Sequence, residues 1–175
     1  MRGTRSSVVA AAVAAMALLP VLGPDAAASD PIKIAVFDFE LADPSASGGV
    51  IGKDAIDVEN LKEATELARR MLSASGRYSV VDTSGVRGEV SGDIQDCRGC
   101  EAALAAKLGA DQSMVGIVTR VGRVEHTVQI VTRDARTGDI VSNHFTGLRM
   151  GANYAWPRAV KWLIENRVMP APQAR

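Results

Sequence analysis

The sequence predicts a mixed α/β domain, a single sheet of about five strands in the order β-α-β-α-β-β-β-α with helices packed on it. Three observations predict it. An apolar run, an amphipathic segment and a second apolar run follow one another between Ile32 and Asp82. Three strand-like segments follow in succession between Gln112 and Leu148. The last segment carries an apolar stripe at helical spacing.

Ile32 to Leu41 reads as the first strand, apolar enough at its start to be buried on both faces. A Ser-, Gly- and Pro-containing loop, Ala42 to Gly52, separates it from a helix over Leu61 to Ser75. Leu61, Ala64, Ala68, Met71 and Leu72 share one face of that helix. Asn60 is its expected cap, with Glu63 three residues on, and Gly76 its stop. Tyr78 to Asp82 is a short second strand, parallel to the first by the strand–helix–strand rule. Thr83 to Asp96 reads as loop and Arg98 to Leu108 as a second helix. Gln112 to Arg123, Val124 to Arg133 and Ile140 to Leu148 are the remaining strands, with a turn at Gly138. The last helix, Tyr154 to Val168, places Trp156, Ala159, Val160, Leu163 and Ile164 on one stripe and Pro157 in its first turn.

The first 28 residues read as a secretory signal peptide. Arg2 and Arg5 precede an apolar run from Val8 to Leu22, and Ala26 to Ala28 offers small residues for cleavage. Cleavage after Ala28 leaves a single domain over residues 29–169, a disordered tail at 170–175 and no later membrane span. The expected location is the periplasm. Lys plus Arg and Asp plus Glu both number 20, without a basic block. That balance predicts neither nucleic-acid nor membrane-surface binding.

The candidate sites are few. Cys97 and Cys100 are the only cysteines, in C-R-G-C at the start of the second helix. In an oxidising compartment they read as a disulfide staple, contributing about 2 kcal/mol for so short a loop. The alternative is thiol-redox or metal handling, because a helix N-terminus lowers a thiol's pKa. Alternation puts His126 on the inner face of its strand and His144 on the outer face of the next, so the two cannot share a metal. No catalytic constellation and no cofactor-binding motif is found. Asp38 and Glu40 share a face of the first strand and Asp82 ends the second. Three carboxylates at the carboxyl edge of the sheet fit a cation such as Ca²⁺, a small ligand or a basic partner segment, unless they are simply solvated. Trp156 and Trp162 on the last helix, with Arg149 and Asn153 before it, form a possible interface. Trp156 lies on the core stripe, and Trp162 lies beside Arg158 and Lys161.

The segments KIAVFDFEL, ELARRML with GRYSVVD, C-x-x-C-E-A-A-L-A-x-x-LGAD and RDARTGDIV resemble a bacterial family of small secreted proteins of unknown function. More loosely they resemble the N-terminal α/β domain of the Tol-system protein TolB and the CsgG-like envelope proteins, which share an opening strand, a late LGAD strand and a D-x-x-TG turn. Where the first family carries R-G-N-T-D-E-S-W, this chain has Arg149 to Trp156, keeping Arg, Gly and Trp without the acids. The resemblance implies this fold, a cell-envelope setting and an envelope or periplasmic partner, with a pointer to quinoprotein dehydrogenase systems. It implies no reaction. The expected function is that of a non-catalytic accessory or binding protein acting through protein contacts.

Overall fold

A computed structural model describes residues 30–44, 53–90, 92–122, 124–148 and 153–170. The expected signal peptide, most of the loop before the first helix, Arg149 and the tail from 171 onward lie outside the described residues.

The strands are β1 (Ile32–Val36), β2 (Glu40–Ala42), β3 (Tyr78–Val81), β4 (Gln112–Arg120), β5 (His126–Asp134) and β6 (Ile140–Leu148). They form one sheet in the order β3-β1-β4-β5-β6, with β2 continuing alongside β4. β1, β2 and β3 run parallel to their neighbours, whereas β5 and β6 are antiparallel. The helices are α1 (Ala55–Ala74), α2 (Cys100–Lys107) and α3 (Trp156–Leu163), the last extended by a wider turn over Ile164–Val168.

Two apolar layers enclose the sheet. On one face Ile34, Val36, Met114, Val118, Val128 and Ile130 pack against α1 and α3. On the other, Ala35, Phe37 and Val115 pack against Leu104 and Ala105 of α2. β1 lies between β3 and β4 with helices on both sides, which is why Ile34, Ala35 and Val36 are all fully buried. The stripe of α3 is buried as its spacing predicts, with Trp156, Val160, Leu163 and Ile164 at 0% exposure.

The structure departs from the expected elements in three informative places. The first strand is two strands. Val36 pairs with Met114 but Glu40 pairs with Ile117, so β1 and β2 hold one residue more than the partner segment opposite them. An extra residue reverses which face each later side chain meets. Phe39 and Leu41 therefore turn toward α1, and Asp38 and Glu40 lose the shared strand face expected of them.

α1 begins six residues before the expected start. Its cap is Asp54, whose Oδ1 accepts the Asp57 N–H at 2.7 Å while Asp57 accepts the Asp54 N–H. Ile56 and Val58 are exposed in this first part, so apolar periodicity carries no signal there. Asn60 lies inside the helix, bonded to the Ile56 carbonyl.

β6 presents the opposite face from the one expected. Ser142, His144, Thr146 and Leu148 share the face of His126, Val128 and Ile130, and Phe145 points away at 74% exposure. The alternation is correct, but apolar residues mark an inner face only where something covers them. α2 has eight residues and packs over β4, leaving this part of the sheet open. His126 and His144 are thus on one face, four residues apart along the ladder, or about 13 Å. That spacing still keeps them from a common metal.

Candidate functional site at the carboxyl end of the sheet

β1 leads to β3 through α1 on one face, and β3 leads to β4 through α2 on the other. The connections therefore diverge at the carboxyl end of β1, on its β4 side, the switch point where open α/β sheets bind ligands. Asp38, Arg69, Thr83 and Arg87 meet beside it.

Arg69 organises this end. The pairing of β1 with β3 ends at Ala35 and Val81, and Arg69 donates to the Val36 carbonyl from Nη2 at 2.8 Å and from Nε at 3.3 Å. The same guanidinium donates to Asp38 at 2.9 Å, Glu66 at 3.0 Å and the Thr83 hydroxyl at 3.3 Å. Asp38 also faces Arg87 at 3.8 Å.

The three candidate carboxylates do not converge. Asp38 belongs to the Arg69 cluster. Asp82 accepts from the Ser84 N–H at 2.9 Å and the Ser84 hydroxyl at 2.6 Å, and these bonds to Ser84 hold its carboxyl below the usual range. Glu40 is buried on the α2 side and accepts the N–H groups of Ile94 at 2.6 Å and Gln95 at 2.9 Å. Burial pushes its carboxyl up, opposed by those two bonds. The expected acidic cluster is therefore three separate devices: a partner for arginine, a turn cap and an anchor for the loop before α2. Sequence reading placed all three near the sheet edge. It missed the extra residue between β1 and β2 that parts Asp38 from Glu40.

Cys97 and Cys100 are joined as a disulfide with Cα atoms 5.6 Å apart. Cys97 ends a 3₁₀ turn over Ile94–Cys97, and α2 begins at Cys100 rather than Arg98. Between them Arg98 adopts a left-handed conformation (φ 53°), followed by Gly99 at φ 122°. Arg133 closes over Gly99 and donates to the buried Glu101 at 2.8 Å and to the Gly138 carbonyl at 3.0 Å. Among the described residues Cys97, Cys100 and Glu101 are the one group of three whose donor atoms could reach a common metal. Joined as a disulfide, the sulfurs are not thiolates, the form that binds metal.

Trp156 is a core residue and leaves the interface set. It is wholly buried, and its indole N–H donates to His126 Nδ1 at 3.0 Å, with the rings edge to face. His126 is 4% exposed. Burial, then the nearby Arg120 charge, push its pKa down, which keeps Nδ1 free to accept. Arg120 donates from Nη2 to both carboxylate oxygens of the buried Asp57 at 2.8 Å and from Nη1 to Asp43 at 3.0 Å. Trp162 is 44% exposed, with the Arg167 guanidinium 5.7 Å from its ring centre. Asn153 opens a short 3₁₀ turn before α3.

These features define the class: a three-layer α/β domain with a cation-rich carboxyl edge and an open outer strand. The chain belongs to the family DUF3280, described as a protein of unknown function (DUF2380), over residues 32–168. No curated protein matches its sequence. Among solved structures, its fold is similar to that of the LpoB C-terminal domain from Salmonella enterica. The identity is 15%, over 71% of this chain and 87% of that one, with a TM-score of 0.50. Weaker likenesses include lipoprotein GNA1162 from Neisseria meningitidis (19% identity, 70% and 84% covered, TM-score 0.47). TolB from Acinetobacter baumannii is another (14%, 77% and 27%, TM-score 0.46). None of these likenesses supports the quinoprotein dehydrogenase setting. Among the described residues no helix is long and apolar enough to cross a membrane.

Proposed function

We propose that this protein is a non-catalytic accessory protein of the periplasm that binds an extended segment of another cell-envelope protein. The observation that carries this reading is the outer strand. β6 is nine residues long, contains no Lys, Arg, Asp, Glu or Pro, and lies at the edge of the sheet. Ile140 and Val141 are 53% exposed and Phe145 is 74% exposed. Sheet edges in soluble proteins are ordinarily blunted by charge, proline, shortness or a β-bulge, and β6 has one irregularity, an extra residue at Val141 opposite Thr132 and Arg133. From Ser142 to Leu148 the edge has none of these and is suited to accept a partner strand, with backbone hydrogen bonds for affinity and exposed apolar side chains for selectivity. The sulfurs, the imidazole of His126 and the edge carboxylates are meanwhile committed to structure. The signal-like first 28 residues support the periplasmic setting.

The test is a photo-crosslinking residue at position 145 in living cells, with position 58 on α1 as the comparison. One specific protein adduct is expected from position 145 and none from position 58. The double variant Val141→Lys/Phe145→Lys should unfold at the same temperature as the parent, and its binding of that protein should be lost. No adduct at position 145, or an adduct with a second copy of the chain alone, refutes the reading.

A further inference from the structure

We propose that the crevice between α1, the segment that follows β1 and Arg87 binds an organic carboxylate that carries an apolar body. The site is separate from the β6 edge and does not depend on it. The crevice has a volume of about 450 Å³, within the range of small-molecule sites. Asp38 and Phe39 place it just beyond the carboxyl end of β1, beside the switch point of the sheet.

The sign of its charge is the opposite of the one the strand-end acids suggest. Lys53, Lys62, Arg69 and Arg87 line it, against Asp38 and Glu66. Arg69 is spent on Val36, Asp38, Glu66 and Thr83 and serves as the wall. Lys53 is held by Asp93 at 3.1 Å. Two cations remain for a ligand. Arg87 has a side chain 67% exposed, with its nearest acid 3.8 Å away. Lys62 is exposed on α1 and makes no ion pair among the described residues. Arg87 also lines the two smaller hollows that adjoin this edge.

The apolar part of the ligand follows from the opposite wall. Val58 is 53% exposed there, beside Leu61 and the aliphatic stem that Lys62 presents on the same helix. A singly charged head between Lys62 and Arg87 with an apolar body on Val58 uses both halves of the crevice. A bare dianion would leave the apolar half in water, and an uncharged chain would leave both cations unmatched.

The experiment titrates the protein with decanoate and follows its backbone amide signals by NMR. Saturable shifts confined to residues 58–65 and 83–88 are expected. Lys62→Glu/Arg87→Glu should weaken binding at least about tenfold, as should replacing decanoate by decanol or by inorganic phosphate. Both substituted residues are on the surface, and circular dichroism confirms the fold of the variant. No shifts at millimolar decanoate would overturn the proposal. So would equal binding of decanol, equal binding of phosphate, equal binding by the charge-reversed variant, or shifts centred on Phe145.

Discussion

Gly116 on β4 has a role that can be tested by adding one carbon. A Cβ at this position would lie 2.3 Å from Cδ2 and Cε2 of Phe39 and 2.4 Å from Cζ. Carbon atoms in contact sit about 3.5–4.0 Å apart, so the ring would have to retreat by more than an ångström. It has no room to do so. Phe39 is 4% exposed, and its backbone N–H is tied to the Thr65 hydroxyl at 2.9 Å. Overpacking of a tight core costs about 1–3 kcal/mol, and a clash with the whole edge of a ring places Gly116→Ala at about 2–3 kcal/mol. For a domain of this size that lowers Tm by roughly 4–12 °C. Urea unfolding followed by circular dichroism measures it. In a Phe39→Leu background the smaller side chain removes most of the conflict, so the same change should cost less than about 1 kcal/mol. A stability within about 0.5 kcal/mol of the parent, or an equal cost in both backgrounds, would refute the reasoning.

The His126–Trp156 contact predicts a pH dependence. The folded pKa of His126 lies below the value of about 6.5 in the unfolded chain. The unfolded state therefore takes up the proton first as pH falls. The stability from this group is complete above the unfolded value and is lost as pH drops through the folded value. Urea midpoints should decline below pH 6.5 in the parent, and that decline should be smaller in His126→Leu; identical pH profiles would count against the assignment. The Cys97–Cys100 bridge closes a very short loop, so Cys97→Ser/Cys100→Ser should lose about 2 kcal/mol. The same loss should appear on adding dithiothreitol to the parent, and crosslinking at position 145 should survive it. Loss of the adduct without loss of stability would instead favour a thiol-dependent function.

Much of the architecture was legible because burial on both faces and amphipathic spacing are local properties. The stripe Trp156-Ala159-Val160-Leu163-Ile164 is buried as read, and β6 has the expected bounds. The start of α1 was not legible. Its first turn is capped by Asp54 and Asp57 and carries exposed Ile56 and Val58, so hydrophobic periodicity pointed to Leu61. The cationic crevice was equally hidden. In the run Glu66-Leu67-Ala68-Arg69-Arg70, nothing in the spacing says which arginine reaches the Val36 carbonyl.

The sequence alone determined where most of the strands and helices fall, because period and turn residues are written into each stretch of chain. It also placed acids near the carboxyl ends of β1 and β3. Only the tertiary structure decided what those acids do. One residue inserted between β1 and β2 sends Phe39 into the core over Gly116, turns Glu40 toward the loop before α2 and leaves Asp38 to Arg69. The exposure of Phe145 was decided in the same way, by how far the eight residues of α2 extend across the sheet. Which face of a strand is inner depends on what other parts of the chain bring to cover it, and no local pattern records that.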